Sequence, residues 1–149
     1  MLCQEYRKES GGHDEQVSYA LPLHIICADG LNRLLEIYAV LESVNTVKDS
    51  DSERYAFLVK EYERLVKVVN DDHVSAAETT IQDPYIRAAL IRDIIAECHE
   101  LLEYRLAAER WHLEIDSAAK DFLIGFGEKL SCRFLAALLE DRVSRHSIF

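Results

Sequence analysis

Few side chains in this sequence are spaced for chemistry. Glu109-x-x-His112 puts a carboxylate and an imidazole on one helix face, the half-site that di-iron bundles use. A complete site of that kind needs a second such pair and two more inward glutamates. The apolar stripe of the first predicted helix offers only His24, and that of the second offers no carboxylate. His99 and Glu103 share a face at i, i+4, as a haemerythrin-like fragment would, but the further histidines such a site needs are missing. Both pairs read as solvated charged faces, and no metal or other cofactor is expected.

The remaining reactive groups fare no better. The four cysteines, at 3, 27, 98 and 132, contain no closely spaced zinc-type pair. Cys27, Cys98 and Cys132 fall on apolar helical faces, which predicts free thiols in a reducing cytosol, hence a cytoplasmic protein. Gly125 and Gly127 lie within a helical pattern and not after a strand, so they predict close helix approach and not a phosphate loop. No nucleophile–base pair is recognisable, so no catalytic residue is assigned and the protein reads as a non-enzyme.

The elements that would position any site are helices. Five Gly and two Pro in 149 residues leave little turn chemistry for a many-stranded sheet. Residues 1–16 are polar and predict a flexible N-terminal tail, followed by a single helical domain over 17–145 and a C-terminal tail over 146–149. From Pro22, His24, Cys27, Leu31, Leu34, Tyr38 and Leu41 recur at helical spacing. Ser50 and Glu53 have capping-box spacing ahead of a second stripe, Tyr55, Leu58, Val59, Tyr62, Leu65, Val66 and Val69. Asn70-Asp71-Asp72 predicts a break, with a short helix over 73–81. Asp83-Pro84 predicts a cap and first turn for a helix carrying Ile91, Ile94, Ile95, Cys98, Leu101, Leu102 and Leu106. Its polar side is expected to hold Glu97, Glu100, Glu103 and Arg105. Asp116-Ser117 restarts a last helix, with Ala119, Phe122, Leu123, Phe126, Leu130, Phe134 and Leu138 on one side. The expected fold is all-α: an antiparallel bundle of four long helices plus a short fifth.

The formal charge of −10 argues against direct nucleic-acid binding and permits steering toward a basic protein surface. No stretch approaches transmembrane length, so no membrane partner is expected. Oligomeric state is not encoded in any pattern found.

Three patterns carry a family resemblance: Leu34-Leu35-x-x-Tyr38-x-x-Leu41; Leu65-Val66 followed by His73-x-Ser75-x-x-Glu78; and Gly127-Glu128-x-Leu130-x-x-Arg133-Phe134. Their order and separation resemble the Rsd/AlgQ family of bacterial anti-sigma factors. The chain departs from that family at Lys67, where the family tends to carry an aspartate implicated in sigma binding. The resemblance implies a non-catalytic transcription regulator that sequesters the primary RNA polymerase sigma factor by covering its −35-reading region. Glu36, Glu42, Lys60, Glu63 and Lys67, on the polar sides of the first two helices, are the expected contact residues. His73, Glu78, Glu128 and Arg133 are expected to form a structural polar network in which Arg133 meets Glu128 or Glu78, because a charge near a bundle interior must be paired. The alternatives are a helical interaction or inhibitor protein with another partner and, third, a metal-binding bundle centred on Glu109, His112, His99 and Glu103.

Overall fold

The structure, a computed structural model, describes residues 30–146. It contains four helices: α1 (Gly30–Val47), α2 (Ser52–Thr80), α3 (Pro84–Trp111) and α4 (Ser117–His146). The expected tail at 1–16, the start of the first helix at Pro22, and residues 147–149 lie outside the described residues. Short connectors make successive helices antiparallel neighbours. Since α1 also packs on α4, the four close into a ring with one core at its centre.

Local chemistry sets the helix starts. Asp83 is the N-cap of α3, its carboxylate accepting from the amides of Tyr85 (2.8 Å) and Ile86 (3.0 Å), with Pro84 in the first turn. Asp116 likewise accepts from the Ala118 amide at 2.9 Å at the start of α4. At α2 the cap is Asp51, which accepts from the Arg54 amide at 2.9 Å. The Ser50–Glu53 capping box does not form. Ser50 instead donates its hydroxyl to the Val47 carbonyl at 3.2 Å, closing the turn after α1.

The predicted short fifth helix is absent as a separate element. Asn70-Asp71-Asp72 does not break α2, which runs unbroken to Thr80. Lys67 pairs with Asp71 on the outer face, Arg33 of α1 pairs with Asp72 at 3.1 Å, and the buried stripe passes from Val69 through His73 to Ala76 and Ala77. Burial of that stripe outweighs the few tenths of a kcal/mol by which Asn and Asp disfavour a helix.

The core joins Leu34, Ile37 and Leu41 of α1 to Tyr62, Leu65, Val66 and Val69 of α2, Ile94, Cys98 and Leu101 of α3, and Leu123, Phe126, Leu130 and Phe134 of α4. The inner stripe of α1 is rotated from the predicted one. Ile37 is fully buried, whereas Leu31 is 45% exposed. Tyr62, buried with its hydroxyl donating to the Leu101 carbonyl at 2.7 Å, ties α2 to α3.

Candidate functional site

A cleft of about 430 Å³ opens between α1, α2 and α4. Gly30, Leu31 and Leu34 form one wall, Val69 and His73 the floor side, and Ile124, Gly127, Glu128, Leu130, Ser131 and Cys132 the other wall. Gly127 brings the helices close here: a Cβ at this position would collide with the Leu34 side chain.

Two of the expected network residues, His73 and Glu128, thus line one cleft. His73 is buried and donates Nδ1–H to the Val69 carbonyl at 2.7 Å, which leaves Nε2 as an acceptor. Burial holds its pKa below the ordinary histidine value, against the smaller upward pull of that backbone bond and of Asp72, so the ring is neutral at neutral pH. Glu128 is exposed at the cleft and makes no ion pair among the described residues. Glu78 stands exposed near the end of α2 and does not line the cleft.

Arg133 is paired, but with neither Glu128 nor Glu78. It lies five residues beyond Glu128 and therefore points to a different side of α4, toward α3. Its guanidinium meets Asp93 at 3.1 Å and Glu97 at 2.9 Å, and Lys129 reaches Glu97 at 2.5 Å. Glu97, expected on the polar side of its helix, is only 4% exposed. Arg105, expected on the same side, is buried too and binds Glu109 at 2.6 Å. In a ring of four, α3 packs against both α2 and α4, so its buried arc is wider than a single apolar stripe shows. The sequence signal was the adjacency of Glu97 to Cys98 within the stripe, with two basic residues at Lys129 and Arg133 on the facing helix.

The metal half-sites do not assemble. Glu109 accepts from the Tyr55 hydroxyl at 2.8 Å as well as from Arg105. His112 ends α3 in the left-handed region (φ 49°), beside Lys48 at 3.2 Å. His99 and Glu103 face each other at 3.9 Å on an exposed surface. Among the described residues no three His, Cys, Asp or Glu converge on a point that would hold a metal ion. The described cysteines, Cys98 and Cys132, are free thiols, and burial followed by the charge of Glu97 pushes Cys98 up to about 12.

The five expected sigma contacts, Glu36, Glu42, Lys60, Glu63 and Lys67, are all exposed on α1 and α2. Glu63 lies 3.7 Å from Arg105, and Lys67 is engaged by Asp71. No helix among the described residues is long and apolar enough to cross a membrane.

Comparison with known proteins points elsewhere. The chain is 38% identical over 111 residues to aspartate kinase FUB3 of Gibberella fujikuroi, a match covering 74% of this chain and 22% of that one. It is 46% identical over 78 residues to the aspartokinase of Schizosaccharomyces pombe (52% of this chain, 15% of that one). It is 35% identical over 82 residues to the aspartokinase of Saccharomyces cerevisiae (55% and 15%). These relatives are fungal kinases of aspartate. The chain spans about a fifth or less of the length of these curated relatives. No family model and no solved structure matches it.

The match overturns the anti-sigma reading. The relatives are fungal and not bacterial, and they are named as metabolic enzymes and not as transcription regulators. A sigma-factor partner, a non-enzymatic role, an inhibitor of another partner and a metal-binding bundle all lose their support. The resemblance rested on residues that a tight bundle requires for its own packing. Gly127 makes room for Leu34, and Arg133 neutralises Glu97. Wherever it starts, a stretch of 111 residues in a chain of 149 includes residues 39–111, so the part shared with the Gibberella kinase takes in α2 and α3 whole.

Proposed function

We propose that this chain is a helical part of an aspartate-kinase-type protein, and that the α1–α2–α4 cleft borders the site where the amino-acid substrate is held. The observation that carries the reading is the 38% identity to an aspartate kinase over a stretch longer than α2 and α3 together. Aspartate brings an ammonium group that must be neutralised once it leaves water. Among the described residues Glu128 is the one carboxylate lining the cleft, and no cation pairs with it. The cations that aspartate's two carboxylates need, like the phosphoryl donor and its ligands, fall to the rest of such a protein. A cytoplasmic location goes with this reading, as do the free thiols Cys98 and Cys132.

The test is a chimera of the Schizosaccharomyces pombe aspartokinase in which the matching segment and its flanks are replaced by residues 30–146 of this chain, assayed for aspartate-dependent phosphoryl transfer. The expected result is an active enzyme in which Glu128→Gln raises KM for aspartate roughly 10- to 100-fold, the worth of one charge-assisted contact. An active chimera whose KM ignores that change would leave the kinase assignment standing and remove Glu128 from the substrate site.

A further inference from the structure

Over Phe134–Leu139, α4 carries apolar residues on both sides. Its inner side gives Leu123, Phe126, Leu130 and Phe134 to the core. Along its outer side, at alternating steps of three and four, stand Gly125, Glu128, Cys132, Leu135 and Leu139. Leu135 and Leu139 are 48% and 54% exposed, and the run from Phe134 to Leu139 contains no polar residue. The ring of four covers only the inner side of α4, so the stretch Phe134–Leu139 leaves Leu135 and Leu139 to water.

The outer ridge also has shape. On one side lies the α1–α4 cleft with Leu31 at its edge. On the other a groove of about 390 Å³ runs between α3 and α4, walled by Ala89, Ala136 and Ala137 together with the charged Asp93, Arg133 and Glu140, and Tyr85 on its wall is 85% exposed. Apolar side chains scattered singly over a surface need no explanation, but a contiguous ridge between two grooves does.

We infer that the outer ridge of α4, centred on Leu135 and Leu139, is the surface on which the rest of an aspartate-kinase-type polypeptide docks. The inference rests on the function proposed above. Length and position argue for this occupant over a second copy of the bundle. The Gibberella relative carries the matched stretch as 22% of its chain, so most of such a protein lies outside it and has to meet this bundle somewhere. The ridge also holds Glu128, so docking here brings the other part of the enzyme to the proposed substrate group.

The test sets Leu135→Glu/Leu139→Glu against Phe57→Glu, a 66% exposed apolar residue on α2 away from the ridge. Each is made in the Schizosaccharomyces pombe chimera and in the 149-residue chain alone, with Leu139→Gln as a milder second variant. In the chain alone, all are expected to keep helical circular dichroism and thermal midpoint, because the side chains are exposed. In the chimera, the ridge pair is expected to cut the aspartate-dependent rate at least tenfold, Leu139→Gln to cut it less, and Phe57→Glu to leave it within twofold. A ridge double variant as active as the unsubstituted chimera overturns the inference and leaves the proposed function intact. So does a chain that light scattering finds dimeric until the ridge is charged, since the occupant is then a second copy. Loss of helical signal in the chain alone would mean that the ridge is packed internally, which also overturns it. An inactive unsubstituted chimera removes the proposed function first and the docking surface with it.

Discussion

Leu34 of α1 occupies the space that a side chain at Gly127 of α4 would need. Two residues earlier, a Cβ on Gly125 would meet nothing within 4 Å. The two glycines share a helix and differ only in what faces them. Gly125→Ala is expected to stabilise the fold by about 0.5–1 kcal/mol through helix propensity alone. Gly127→Ala gains the same propensity but must displace a Leu34 that is itself buried, an overpacking cost of about 1–3 kcal/mol. Urea midpoints should therefore move in opposite directions for the two variants.

The α3–α4 seam is held by a buried carboxylate between two half-exposed cations. The Glu97 side chain is 5% exposed, whereas those of Lys129 and Arg133 are 44% and 41% exposed. Glu97→Gln leaves two cations that can turn to water, so the loss is expected at about 1–3 kcal/mol. Removing both cations instead, as Lys129→Met/Arg133→Met, strands the carboxylate in the interior and should cost more than Glu97→Gln. Chemical denaturation of the two variants compares these costs directly, and an inverted order would contradict the assignment of Glu97 as the buried member.

Burial of His73 gives the fold a pH dependence whose sign follows from a depressed imidazole pKa. Its pKa in the fold is depressed, chiefly by burial, so the unfolded chain takes up a proton before the folded one does. The associated stability is complete above the ordinary histidine value of about 6.5 and is lost as pH falls below it. Between pH 7.5 and 5.5 the denaturation midpoint of the wild-type chain should fall. In His73→Phe, which has no proton to gain, the fall should be smaller. An equal slope in both would place the titration elsewhere.

Local chemistry was legible in the sequence where it is self-contained. Asp83-Pro84 and Asp116-Ser117 start helices because a carboxylate satisfies the free amides next to it, whatever lies beyond. Features that depend on a neighbour were not legible. Asn70-Asp71-Asp72 looked like a break, yet Arg33 and the burial of His73 carry the helix through. Glu97 and Arg105 looked outward by periodicity, yet α3 has two neighbours and draws both inside. At the cleft, His73 and Glu128 were singled out and do meet one cavity, while Cys132 and Leu31 on its walls were read only as parts of apolar stripes. The Gly-Glu…Arg-Phe pattern misled for a physical reason. A glycine at a close crossing and an arginine beside a buried carboxylate answer to packing, and packing recurs in bundles of unrelated function.

The rate of aspartate-dependent phosphoryl transfer by the Schizosaccharomyces pombe aspartokinase chimera is the most direct measurement. If the bundle is the helical part of an aspartate-kinase-type protein, the chimera should turn over within about tenfold of its parent, a difference of some 1.4 kcal/mol in barrier. A chimera that is folded, melts cooperatively and transfers no phosphate to aspartate would contradict the account.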